Sequence, residues 1–258
     1  MIRSLREIVY KTIKSKTGRP VSDLYDLSRL YYYSWKNRKA NRDHSIFYKN
    51  FRIKTPDVPL LINLINEIFL EETYFFKCES NNPFIIDCGA NIGMASLYFK
   101  SLYPGSEILS FEANPEMYAY LKDNIEINDL KDISAFNAAL SSKSGEATLY
   151  IPEKSPYLNP GIIKENINSK EIKVNAVCLS DYINEKTIDL LKIDIEGSEN
   201  MVIKDLVNSG KIDLIKKIIC EFHPKAGNDK DYLIKLLINK GFHLVVTEPK
   251  KNVFFLSK

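Results

Sequence analysis

The chain has 258 residues, 45% apolar and 27% charged, with a formal net charge of +3. That balance excludes a disordered or fibrous chain, and the length suits one large domain or one domain with an appendage. Spread evenly, +3 would give no reason to expect a nucleic-acid ligand, but the charge is not spread evenly.

Residues 1–54 hold 14 Lys+Arg against 4 Asp+Glu, a net of +10, while residues 55–258 hold 22 against 29, a net of −7. Every arginine lies between Arg3 and Arg52, together with Tyr31, Tyr32, Tyr33 and the single tryptophan, Trp35. The composition shift predicts a basic, aromatic, helical extension over 1–55 and a body domain over 56–258. Within the extension, Ile2, Leu5, Ile8, Val9 and Ile13 fall at helical spacing, with Arg3, Arg6, Lys11 and Lys14 mostly off that stripe. No uninterrupted apolar stretch of signal-peptide length opens the chain. The most apolar run, 58–70, is broken by Asn63, Asn66 and Glu67 and falls short of the ~20 residues a spanning helix needs. Cys78, Cys88, Cys178 and Cys220 form no C-x-x-C pair, which fits a reducing compartment. The expectation is a cytoplasmic protein whose basic head is able to lie at the inner face of the membrane.

In chain order, Leu60, Leu61, Leu64, Ile65 and Ile68 predict a helix opening after Thr55-Pro56-Asp57. From about residue 83 strands and helices alternate: strand 84–89, helix 91–103, strand 107–113, helix 115–128 and strand 133–140. EATLYIP and EIKVNAVCL read as added strands on either side of a polar loop. Strand 188–197 is followed by a helix at SENMVIKDLVNSG, strand 216–224 by a helix ending at Gly241. FHLVVTE and NVFFLSK close the chain without a helix between them, so they must form an antiparallel hairpin at one edge. The pattern predicts an α/β fold with a doubly wound, mostly parallel sheet.

The most informative stretch is FIIDCGANIGMAS. A buried strand ends at Asp87, and a turn of Gly89, Ala90, Asn91 and Gly93 leads into a helix. Small residues let backbone approach a ligand, and the helix start offers unpaired N–H groups. The spacing D-x-G-x-N-x-G is not the dinucleotide pattern G-x-G-x-x-G. The next strand ends at Glu112, whose carboxylate can accept both hydroxyls of a ribose. Further along, Asp194, Glu196 and Glu199 stand at the end of one strand and the start of its helix. Asp194 and Glu196 are two apart, so on an extended strand they share a side. Glu221 and His223 show the same spacing at the next strand end. Such a group can take a proton from a reacting hydroxyl. His223 or Glu196 is the expected base, with Asp194 orienting substrate or cofactor, and Glu199 is read as a favourable charge at a helix N-terminus. Three carboxylates and a histidine could also bind a divalent cation, but the spacing matches no strong metal motif, so no metal is expected.

DCGANIGMAS, SFEANPEMYAYLKDNI, FNAALSSKSGEATLYIP and LLKIDIEGSE together resemble the FkbM-type S-adenosylmethionine-dependent methyltransferases over roughly residues 60–224. The resemblance implies a Rossmann-like, seven-stranded sheet with an antiparallel last strand. It also implies S-adenosyl-L-methionine as cofactor and methyl transfer to a hydroxyl oxygen, often on a sugar, glycan or polyketide. By that resemblance the cofactor-binding positions are Asp87, Gly89, Ala90, Asn91 and Gly93 around the methionine part, Glu112 at the ribose, and Asn137 and Ala138 beside the adenine, with Asp194 nearby. Two rivals remain at this point: an NAD-dependent oxidoreductase on a related sheet, and a non-catalytic protein that keeps the fold and docks on an anionic partner. The expected partner is a hydroxylated small molecule or glycan, compatible with negative charge; no recognised RNA-binding module is present, and nucleic acid is not expected. The head reads either as a solvated face with its aromatics packed on the body, or as an element that stacks on sugars and pairs with phosphates or lipid headgroups. The polar stretch 153–170 has the length and composition of a flap over the acceptor site.

Overall fold

The computed structural model describes residues 28–30, 32, 44–154, 156–157, 159–164, 168–225, 227–248 and 252–258. The amphipathic stripe at 2–13 and residues Tyr31, Tyr33 and Trp35 lie outside them. Among the described residues no helix is long and apolar enough to cross a membrane.

The body opens with two strands, β1 (His44–Tyr48) and β2 (Phe51–Thr55), paired antiparallel around a tight turn in which Lys49 has φ 51°. The helical expectation for 1–55 therefore fails over 44–55. The physical reason is a period of two: His44, Ile46 and Tyr48 point inward, while Ser45 and Phe47 point outward. Ile46, Tyr48 and Ile53 join the same buried cluster as Leu60 and Leu61, and Leu30 of the preceding segment is buried there too. Tyr32 is exposed.

Helix α1 (Val58–Leu64) begins where Asp57 accepts a hydrogen bond from the Leu60 N–H at 2.9 Å, and it runs on as a π-helical turn, Ile65–Leu70. The alternating units follow: β3 (Phe84–Cys88), α2 (Met94–Leu102), β4 (Glu107–Glu112), α3 (Pro115–Ile127), and β5 (Ile133–Asn137). The expected single strand at 133–140 is two. Asn137 Nδ2 donates to the Glu112 and Ala113 carbonyl oxygens, at 2.8 and 3.2 Å, and this ends the pairing with β4. The chain then leaves as β6 (Ala139–Leu140), which pairs with β8 (Ser169–Val177). With β7 (Gly145–Pro152), these make a separate three-stranded sheet in the order β6-β8-β7. The rest is β9 (Leu190–Ile193), α4 (Glu199–Asn208), β10 (Lys217–Glu221), α5 (Lys230–Ile238), β11 (His243–Glu248) and β12 (Val253–Ser257).

The central sheet has seven strands in the order β11-β12-β10-β9-β3-β4-β5, and β12 is antiparallel to both its neighbours. β3 and β9 are buried along their whole length because helices cover both faces. Alternate residues serve opposite layers: Ile85 and Leu190 face the α1/α2 layer, and Ile86, Cys88, Leu191 and Ile193 the α4/α5 layer. On this parity Asp87 and Lys192 both point into the α1/α2 layer.

The hairpin is attached to the body by two asparagines four residues apart, Asn124 on α3 and Asn128 at its C-cap. Asn124 accepts from the Lys54 N–H at 2.7 Å and donates to the Lys54 carbonyl at 2.9 Å. Asn128 treats Arg52 in the same way, at 2.8 Å for both bonds. Their amides supply what a neighbouring strand would supply to the outer edge of β2.

Candidate active site

The carboxyl ends of β3, β4, β9 and β10 face one cavity of about 270 Å³. In open α/β sheets this is the edge where ligands bind. The turn after β3 makes its first wall. Gly89 has φ 84°, and a Cβ there would stand 1.7 Å from the Asp194 carbonyl oxygen, so only glycine lets this turn pass so close to the end of β9. The N–H groups of Gly89 and Ala90 both donate to the Phe111 carbonyl, at 2.9 Å each. Asn91 follows in the left-handed region, φ 50°. Its Oδ1 accepts from the Ile92 N–H at 2.8 Å, and its Nδ2 donates to the Tyr157 carbonyl in the 153–170 insert at 2.6 Å. Asn159, Pro160, Gly161 and Ile162 of that insert line the cavity.

Glu112 closes the β4 side. Its Oε2 accepts from the Asn91 N–H at 2.7 Å and its Oε1 from the Asn114 N–H at 2.8 Å. Burial pushes this carboxyl up to about 7, against the pull of those two N–H groups.

Of the positions expected to hold a cofactor, Gly89, Ala90, Asn91, Glu112, Ala138 and Asp194 line the cavity, whereas Asp87, Gly93 and Asn137 do not. Asp87 is fully buried on the α2 side of the sheet, 3.0 Å from the Lys192 ammonium, and accepts from the Ser96 hydroxyl at 3.1 Å. Gly93, at φ 91°, starts α2 and packs against Leu121. Asn137 acts from behind, holding the carbonyl oxygens of Glu112 and Ala113.

Sequence reasoning missed Lys192, whose side chain is only 2% exposed. Beyond Asp87 it donates to the Gly89 carbonyl at 2.6 Å and the Cys88 carbonyl at 3.2 Å, and lies 3.7 Å from Asp194 Oδ2. Burial alone would lower its pKa, but Asp87 and Asp194 outweigh that and hold it above the ordinary lysine value. A charge within the all-buried strand LLKI was the available signal. Tyr74 was also missed: its hydroxyl donates to Asp194 Oδ2 at 2.9 Å, and burial followed by the Asp194 charge raises its pKa well above the usual phenol.

Asp194, Glu196, Glu221 and His223 all line the cavity. Their convergence is not the strand parity expected from sequence. β9 ends at Ile193, and Glu196 at φ 55° turns the chain back towards the site. The imidazole Nε2 lies 3.5 Å from Glu196 Oε1, 3.9 Å from Asp194 Oδ1 and 4.0 Å from Glu221 Oε1. Its Nδ1 is 2.9 Å from Oε1 of Glu199, a fully buried carboxylate that also accepts from the Gly197 N–H and from Asn228. Glu199 thus orients His223 as well as sitting at a helix start. Burial would lower the imidazole pKa, but Glu199, Asp194 and Glu196 outweigh it and raise it to about 9. A base role for His223 therefore requires its proton to be displaced first. Burial, then Asp194 and Glu67, push Glu221 up to about 8. Burial also raises Glu196, against His223 and Lys225, whose ammonium lies 3.2 Å from Glu196 Oε2.

Comparison with known proteins identifies the family. Residues 87–244 match the family described as the Methyltransferase FkbM domain. "Methyltransferase 1" of Beauveria bassiana is 31% identical over 216 residues, 75% of this chain and 86% of that protein. "Methyltransferase sdnD" of Sordaria araneosa is 31% identical over 213 residues, 70% of this chain and 82% of that one. "31-O-demethyl-FK506 methyltransferase FkbM" of Streptomyces tacrolimicus is 28% identical over 218 residues, 72% and 83% of the two chains. With more than half of its length matched to that domain and its strand ends built as described, the chain belongs to the FkbM family of methyltransferases.

Proposed function

We propose that this methyltransferase is an S-adenosyl-L-methionine-dependent O-methyltransferase acting on a hydroxyl of a sugar, glycan or related metabolite. The observation that carries the reading is the pairing, within one cavity, of a fixed carboxylate at the end of β4 with a carboxylate–imidazole cluster at the ends of β9 and β10. The family match sets aside the nicotinamide reading.

The residues present fit the cofactor. Each Glu112 oxygen already accepts one backbone N–H, which fixes the carboxylate and leaves it accepting capacity for a vicinal diol. Phe111, Met117 and Ala138 give the same end an apolar lining suited to a purine. When bound, S-adenosyl-L-methionine supplies a methyl group on a cationic sulfur that keeps the departing electron pair. Asp194, Glu196 and His223 serve the other partner: they take or offset the proton that an acceptor hydroxyl gives up as its oxygen becomes nucleophilic. Lys192 and Tyr74 hold Asp194 in place, so that much of the rate gain comes from position rather than from a strong base. An oxygen acceptor is favoured by the relative named for a 31-O position.

The basic head over residues 1–54 recognises an anionic or sugar-like acceptor, on the strength of its +10 charge and its tyrosines and tryptophan. Calorimetry with S-adenosylhomocysteine tests the cofactor reading: wild type binds, and Glu112→Gln binds at least tenfold more weakly. No binding by the folded protein overturns it. A methyl-transfer screen against nucleotide sugars, glycans and lipids tests the acceptor, and transfer to nitrogen or carbon acceptors alone would refute the oxygen assignment.

A further inference from the structure

The cluster at the ends of β9 and β10 has a geometry that proton transfer alone does not explain. The three carboxylate oxygens around His223 Nε2 stand at 3.5, 3.9 and 4.0 Å, each too far for a good hydrogen bond. They surround the nitrogen without bonding to it. Two ligands held about 2.1–2.3 Å from one ion lie roughly 3 Å apart when adjacent and about 4.4 Å apart when opposite. The observed spacings fall in that interval, and one donor atom each from Asp194, Glu196 and His223 lies within 4.8 Å of the others.

We propose that Asp194, Glu196 and His223 form a binding site for a divalent cation of the manganese type, placed beside the acceptor's position.

Three further observations support it. The first is the backing of the imidazole. Its Nδ1 is tied to the buried carboxylate of Glu199, which fixes the ring and aims Nε2 into the cavity. A carboxylate behind the second ring nitrogen is the usual support of a metal-ligating histidine. The second is charge. Five carboxylates meet here, Asp87, Asp194, Glu196, Glu199 and Glu221, against two lysines, Lys192 between Asp87 and Asp194 and Lys225 beside Glu196. A cation would offset that excess. The third is donor chemistry: two carboxylates and one imidazole, with the cavity side open for water or a hydroxyl, suit an octahedral first-row ion better than a closed tetrahedral zinc site. Such an ion would hold an acceptor oxygen and favour loss of its proton to water, as bound metal lowers the pKa of water. The use of the ion rests on the methyltransferase reading, but its binding does not.

The test uses the full chain, stripped with EDTA, desalted, and titrated with Mn²⁺ without cofactor. The electron paramagnetic resonance signal of free Mn²⁺ reports binding. One ion per chain is expected, with affinity at least tenfold weaker in Glu196→Gln and in His223→Gln, each confirmed folded by circular dichroism. Failure of the wild type to retain Mn²⁺ at millimolar concentration overturns the proposal, as does binding that both variants keep. Calorimetry with S-adenosylhomocysteine on the same samples separates the two readings. Cofactor binding without Mn²⁺ binding removes only the cation site; Mn²⁺ binding without cofactor binding removes only the cofactor assignment.

Discussion

Replacing Lys192 by methionine removes a charge from the most enclosed part of the sheet while keeping most of the side chain's volume. Asp87, fully buried, would keep only the Ser96 hydroxyl as a partner, the Gly89 carbonyl would lose its Lys192 donor, and the Cys88 carbonyl would keep only the Asp194 N–H. Breaking one side of a buried ion pair costs about 3–5 kcal/mol, because the remaining charge is stranded. At about 2–4 °C per kcal/mol for a chain of this size, Lys192→Met should melt roughly 6–20 °C lower than wild type. The structure also predicts a rescue. Adding Asp87→Asn removes the stranded charge, so the double variant should be at least about 2 kcal/mol more stable than Lys192→Met alone. Urea unfolding followed by circular dichroism measures both quantities. A cost below about 1 kcal/mol for Lys192→Met, or a double variant whose losses simply add, would refute the view that Asp87 is there for Lys192.

Three other outcomes follow from the same geometry. Glu112 has its carboxyl raised from 4.5 to about 7, so burial favours its protonated form in the folded chain; the native-state advantage of that form is full below about 4.5 and is lost as pH rises through 7. Diol binding needs the ionised form, so S-adenosylhomocysteine affinity should fall about tenfold per unit below pH 7, and a calorimetric profile that is flat from 5.5 to 8 contradicts this. Gly89→Ala, which would put a methyl 1.7 Å from a backbone oxygen, should cost about 3 kcal/mol or more and abolish cofactor binding, whereas Gly210→Ala, also left-handed but with open space around it, should cost about 1–2 kcal/mol; equal melting shifts would count against the close-approach argument. Asn124→Ala strips partners from the Lys54 N–H and carbonyl and from the Ile92 carbonyl, and should cost about 2 kcal/mol and speed exchange of the Lys54 amide, as read by hydrogen exchange.

The strands and helices from 84 onward were legible because short apolar runs are bounded by glycine, proline or asparagine, and because a closing pair without a crossover must be antiparallel. The break after Asn137 was not, since apolar residues continue on both sides of it as far as Leu140 and the instruction to change sheets lies in bonds to residues 112 and 113. The 44–55 hairpin carries a clear alternation, but its arginines and lysines drew the segment into the basic head. At the site, residue type was legible and direction was not. Asp87 stands in the motif, yet its parity with Ile85 turns it towards α2, and the partner that explains it is 105 residues away. The group around His223 was foreseen in membership and not in cause, because the left-handed Glu196 that folds the chain back has no signature in a single sequence.

The asparagine pair at the end of α3 has a consequence outside this one molecule. An unpaired strand edge is a template on which other chains can add strands. Asn124 and Asn128 occupy the outward N–H and C=O groups of Arg52 and Lys54, so the edge of β2 offers a second chain nothing to bind along that length. A helix, not a strand, caps the hairpin, and intermolecular sheet growth from this edge is closed off by two side-chain amides.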